Sequence, residues 1–261
     1  SSMADWKSPM RADPSEWLVL NASAPIRYRV LTELHSLTTA DPNVARIREE
    51  VLDYKPLKQE LRYQRQDGSW GGKIHAGDPR RAERTTEKIL WQFYEVTWDR
   101  ELKEVRKAAK LLKSFLTQKK DLNVYEFKAQ TKQDPIRERH VRWFLRICAL
   151  GLLLRGGWQE DKKVLDGVVD LLDRVSGFVS DPVSREPVER IGAGLPHIRR
   201  EAMTDGYCFL PDAYMLRVFA YCPSLLNVAK MRGQLKKAFD YVMSQTYQQL
   251  GQELDEETGE L

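Results

Sequence analysis

No stretch of the chain approaches the roughly 18 consecutive apolar residues that a membrane-spanning helix needs. The longest apolar patch, Ile147-Cys148-Ala149-Leu150-Gly151-Leu152-Leu153-Leu154, reads as the core of a buried helix. Cysteine is scarce as well. Cys148, Cys208 and Cys222 are an odd three without CxxC spacing, which argues against a disulfide scaffold and a zinc finger and fits a reducing compartment. No secretory leader opens the sequence, and Ser1-Ser2-Met3 reads as a tag scar before a native methionine, so a cytoplasmic location is expected. Charge of one sign is also missing. The net charge of +4 is spread among 42 basic and 38 acidic residues, the pattern of solvated helical surfaces, and nucleic acid is not the favoured partner. Alternating β-branched runs are nearly absent. So are a glycine-rich phosphate loop, a serine-histidine-aspartate signature and an HExxH motif, and no cofactor or metal is expected.

What remains is helical periodicity. Apolar residues recur at helical spacing over residues 14–21, 25–37, 43–65 (with a break at Pro56), 81–97, 100–116, 136–154, 160–175, 211–222 and 228–250. The 136–154 segment is the most hydrophobic. Residues 119–133 are polar and irregular, and 180–205 form a long loop rich in Pro, Gly and Arg, of the kind that often carries function. The expected organisation is a short N-terminal segment (1–13), one helical-repeat domain (14–250) and an acidic tail (251–261).

The most specific motif is Gln64-Arg65-Gln66-Asp67-Gly68-Ser69-Trp70. Asp-Gly supplies a sharp reversal. The Trp can fold back on the preceding helix while the Gln amide caps carbonyls or stacks on the indole. Partial copies lacking the terminal Gly-x-Trp follow on later helices: Lys107-Ala108 before Leu111 and Leu112, and Lys237-Ala238 before Tyr241 and Val242. A period of about 50–65 residues with two helices per unit indicates a helical-hairpin array.

The Gln64–Trp70 turn resembles the QW motif of squalene/hopene cyclases, shared in looser form by protein prenyltransferase β subunits. The resemblance implies an all-α α/α toroid-like array of helical hairpins; an open HEAT-like solenoid is the alternative, suggested by Trp17-Leu18 and the segment from Pro25 to Leu31. In a toroid the inner helices gather their N-termini, with partial positive charge and unpaired N–H groups, at one mouth of a central cavity. The residues expected there are Arg84, Thr85 and Thr86; Arg137, Arg139 and His140; and Asp205, Tyr207 and Asp212, with His197 in the covering loop. Trp91, Tyr94, Trp143 and Phe144 would line the apolar wall, with Tyr207 also contacting the ligand. Thr85 and Asp212 read equally as helix caps, and the lysines at 103, 107, 110 and 113 as a solvated outer face.

The expected function is terpene-cyclase-like catalysis or prenyl-ligand binding, in a central pocket for a small, partly apolar ligand with an anionic end. Asp205 or Asp212 would act as the acid, His140 or His197 as proton partner, and Arg84, Arg137 and Arg139 as the clamp. The Asp-x-Asp-Asp acid of the cyclases is missing. Asp205, Cys208 and His197 match the zinc-binding residue types of the prenyltransferases but not their order or spacing. The alternative is a non-catalytic helical-repeat scaffold that binds protein or nucleic acid.

Overall fold

The computed structural model describes residues 12–75, 83–117, 123–132, 135–181 and 207–250. Asp205 and His197, with most of the long loop and the acidic tail, lie outside the described residues. The described chain is all-α: α1 (Ser15–Asn21), α2 (Ala24–Arg29), α3 (Pro42–Leu52), α4 (Lys55–Lys58), α5 (Thr86–Glu95), α6 (Lys103–Phe115), α7 (Lys128–Thr131), α8 (Pro135–Arg155), α9 (Lys162–Ser180), α10 (Ala213–Ala220) and α11 (Ala229–Leu250). The described residues form no strand; isolated antiparallel bridges pair Trp70 with Gln64 and with Lys73.

Helix starts follow capping chemistry. Asp41 accepts from the Asn43 amide at 2.8 Å ahead of Pro42, and Asp161 accepts from Lys163 at 3.0 Å. Each satisfies a donor that the first helical turn leaves without a partner. Two expected helices are interrupted. The 25–37 segment leaves α geometry after Arg29 and widens into a π turn over Val30–Leu34, in which the His35 amide reaches back five residues to the Val30 carbonyl. Thr32 Oγ1 donates to the Tyr28 carbonyl inside this turn, a back-bond that favours bending. The 43–65 run stops at Leu52. Pro56 has no N–H to donate to the carbonyl four residues back, so the chain restarts as α4 and a 3₁₀ turn over Gln59–Tyr63.

Burial separates inner from outer helices. From Leu145 to Leu154, α8 is buried at every position but Arg146, and α8 packs against α5, α6, α7, α9 and α10. Helix α6 buries one stripe (Val105, Ala108, Ala109, Leu112, Phe115), as does α9 (Val164, Val168, Leu171, Leu172, Val175). Helix α11, which covers α9, buries Leu235 and Ala238. This is the difference expected between a helix surrounded by protein and helices with one wet face. Ala108 and Ala238, the small residues shared by the partial sequence copies, are both fully buried on outer helices.

Candidate functional site

The site begins in the turn that the sequence marks. Trp70 is completely buried; its Nε1 donates to the Glu60 carbonyl at 2.8 Å and its ring meets Phe93 edge-on. Gln64 Nε2 donates to the carbonyls of Gly68 (3.1 Å) and Glu104 (2.8 Å), so the amide ties the turn to α6. The Asp67 carboxylate accepts from the Ser69 amide and hydroxyl and from the Tyr125 hydroxyl. Gly68 and Gly71 both have positive φ, and a Cβ on either would meet the backbone of a neighbouring segment.

Beyond the turn the chain runs directly over the N-terminus of α5. The Thr86 amide donates to the Lys73 carbonyl at 3.1 Å and the Glu87 amide to the Ile74 carbonyl at 2.9 Å, while Thr85 Oγ1 caps the Lys88 amide. These bonds use up helix-end donors that would otherwise be free to bind an anion. They also bring His75 onto Glu87, with Nδ1 and Oε2 2.6 Å apart. The Glu126 carboxylate holds the backbone from the other side, accepting from the amides of Ile74 (2.9 Å) and His75 (2.6 Å). The His75 ring packs edge-on against Phe144 and Tyr214, and the Tyr214 hydroxyl is 3.4 Å from Nδ1. Arg217 Nη1 stands 3.9 Å from Glu87 Oε1. Cys148, fully enclosed on α8, completes the group: one donor atom each from His75, Glu87 and Cys148 lie within 4.8 Å of one another. Burial, reinforced by the charges of Glu87, Asp212 and Glu126, pushes the Cys148 thiol well above its ordinary range.

Glu87 and Tyr214 also line an open groove of about 680 Å³. Its apolar wall is Tyr54, Leu57, Trp91 and Val96; Lys88 and Arg217 face it alongside Glu87 and Glu95. The Arg217 guanidinium lies over the Trp91 ring at 4.9 Å. Among the described residues, the buried Trp91 Nε1 has no hydrogen-bond partner. The volume falls within the range of small-molecule sites, and apolar lining with a few convergent polar groups is their usual composition.

No known protein family, curated protein or solved structure gives a significant match to this chain. The reading of function therefore rests on this geometry and on the sequence.

The residues singled out in the sequence fall in three places. Trp91 and Tyr94 sit together on α5, their rings 6.1 Å apart, and Trp91 faces the groove. His140, Trp143 and Tyr207 form an aromatic cluster with Phe209 at the start of α8, the His140 and Tyr207 rings being 4.6 Å apart. The guanidinium groups of Arg146 and Arg174 each lie 4.6 Å from the Trp143 ring centroid. Asp212 caps α10 through the Met215 amide at 2.8 Å. Desolvation raises its pKa against the lowering pull of the Met215 and Tyr214 amides. Arg84 pairs with Glu60 at 2.8 Å and lies over the Tyr63 ring, and Arg137 and Arg139 are exposed on the first turns of α8. Burial pushes the Cys208 thiol up to about 12, which works against a thiolate nucleophile there.

The basic stripe on α6 also has local explanations. A groove of about 560 Å³ is lined by Arg100, Arg106, Lys110, Lys113 and Lys163 with Trp158. Arg100 donates to the Gly157 carbonyl, Arg106 to the carbonyls of Arg100 and Glu101, and Lys113 to Asp161 at 2.6 Å. The Arg100 and Lys113 bonds fasten α6 and the residues before it to the 157–161 turn, and the Arg106 bonds hold the loop leading into α6, a structural use of the charge.

His140 gives a pH signature. Its pKa is lowered by burial and then by the Arg137 charge. The unfolded chain therefore takes up the proton first as pH falls. Stability is full above the unfolded value of about 6.5 and declines as pH drops through the lower folded value. His140→Gln should flatten this part of the profile in chemical denaturation between neutral and mildly acidic pH. An unchanged slope contradicts the assignment.

Proposed function

We propose that this protein binds a small, partly apolar, isoprenoid-like ligand in the groove beside α5, with the Glu87–His75 pair as the proton-handling group at its polar end. The carrying observation is that one carboxylate, Glu87, both lines the groove and contacts the His75 ring at 2.6 Å. An acid paired with an imidazole beside an aromatic wall is suited to moving a proton to or from a bound ligand. The inner and outer burial of α8, α6 and α9 supports a helical-hairpin array of toroid-like kind, consistent with the resemblance of the Gln64–Trp70 turn to the QW motif.

This reading moves the site from a central cavity rimmed by helix N-termini to the flank of α5. The N-terminus of α5 is occupied by the carbonyls of Lys73 and Ile74, so it is not an anion hole. In the groove two cations face two carboxylates, which favours a hydroxyl or other neutral head over a diphosphate. Farnesol and farnesyl diphosphate are the probes. Farnesol should bind at least as tightly as its diphosphate, and Trp91→Ala should weaken it by about tenfold or more, the usual cost of removing a central aromatic anchor. Farnesol affinity unchanged in Trp91→Ala, measured by calorimetry, overturns the groove as the site.

A further inference from the structure

We propose that His75, Glu87 and Cys148 form a binding site for one divalent cation of zinc-like character. Three observations carry it. First, an imidazole nitrogen, a carboxylate oxygen and a thiol sulfur converge within 4.8 Å, although their residues come from a loop, the first turn of α5 and the middle of α8. Tetrahedral zinc sets such donors roughly 3.3–3.8 Å apart, so side-chain shifts of about 1 Å complete the coordination. Mixed sulfur, nitrogen and oxygen donors select a borderline-soft ion over magnesium or calcium.

Second, carboxylates gather around the donors: Glu87 is buried and Glu126 holds the His75 backbone, with Arg217 3.9 Å from Glu87 as the facing cation. A buried carboxylate is costly without a cation to balance it. On binding, Cys148 coordinates as the thiolate and its proton passes to bulk water.

Third, the donors are held by a supporting shell. Glu126 fixes the backbone of His75 through two amides, Phe144 and Tyr214 pack on its ring, and Glu87 is anchored at the start of α5. Outer contacts of this kind orient ligands in built metal sites. Three protein donors leave a fourth position to water, the arrangement of catalytic rather than structural zinc. Because Glu87 also lines the groove, a water held in that position would take over the proton handling proposed for the metal-free Glu87–His75 pair.

The test is metal content and cobalt spectroscopy on the full chain. After equilibration with zinc and removal of the excess, elemental analysis should find about one ion per chain, matching the one three-donor cluster among the described residues. Cobalt in its place should show a thiolate-to-metal charge-transfer band in the near ultraviolet. Cys148→Ser should abolish the band, and His75→Gln should weaken binding by on the order of 100-fold. Cys208→Ser and Cys222→Ser should leave the band intact, and so should Trp91→Ala, which separates the metal from the groove ligand. Absence of the band in the wild-type protein overturns the site, as does its persistence in Cys148→Ser. His75→Gln keeps the proposal falsifiable should Cys148→Ser fail to fold: undiminished metal affinity in that variant also overturns it.

Discussion

Trp70→Ala should destabilise the protein by about 3–5 kcal/mol, the range for removing a large aromatic from a core that cannot fully collapse around the loss. Trp70 is 0% exposed, packs edge-on against Phe93, and donates from Nε1 to the Glu60 carbonyl. The truncation therefore opens a cavity between the turn and α5 and leaves a buried carbonyl without its donor. At about 2–4 °C per kcal/mol for a chain of this size, the thermal midpoint should fall by roughly 10 °C. Trp70→Phe isolates the polar part. It keeps most of the ring volume and loses the hydrogen bond, so a smaller loss of about 1–2 kcal/mol is expected. Equal stability of wild type and Trp70→Ala in urea titration would mean that the turn is not part of the cooperative core.

Gly71→Ala should cost about 3 kcal/mol or more, although it adds one methyl group near the surface. Gly71 has φ +59°, where an L side chain costs roughly 1–2 kcal/mol. A Cβ there would stand 2.1 Å from the Arg84 carbonyl oxygen, so the loop must also shift off the segment leading into α5. The matched control is Gly177→Ala in α9. Its Cβ would meet nothing within 4 Å, and helix propensity alone predicts a gain of about 0.8–1.0 kcal/mol. Opposite signs for the same chemical change would establish that backbone conformation and close approach, and not composition, make the 68–72 turn. A neutral Gly71→Ala would contradict the turn geometry.

Much of the helical fold was legible because helix faces repeat locally. The stripe Val105, Ala108, Ala109, Leu112 and Phe115 is readable from the sequence of α6 alone, and the all-round apolar run in α8 marks it as an inner helix before any packing is known. The π turn at Val30–Leu34 was not legible, since its apolar spacing also fits an uninterrupted helix. The turn at Gln64–Trp70 was legible as a turn, with the Trp folded back and the amide on carbonyls. Its consequence was not: the next residues run across α5 and deliver His75 to Glu87.

The candidate site was legible only in fragments. Trp91, expected in an aromatic wall, lines the groove, but the convergence of His75, Glu87 and Cys148 has no counterpart in the sequence pattern. His75 follows the glycines at 71 and 72, Glu87 has the position of an ordinary first-turn helix acid, and Cys148 lies within the apolar run of α8. Their convergence depends on the α5–α8 packing and on the Glu126 carboxylate reaching the 74–75 backbone, long-range facts that no local pattern carries. One weak signal was present: Glu87 interrupts the buried face formed by Thr86, Ile89, Leu90, Phe93 and Tyr94. An acid on an apolar face implies a partner.

The groove flanked by Trp91, Tyr214 and Arg217, with Glu87 and His75 at its polar end, is proposed as the seat of function. The most direct test is a crystal structure of the protein purified from its own host, without added ligand. Density for a small, partly apolar molecule is expected against the Trp91 face, its polar end near Glu87. A groove filled by side chains, or a co-purified molecule bound only at the basic face of α6, would contradict it.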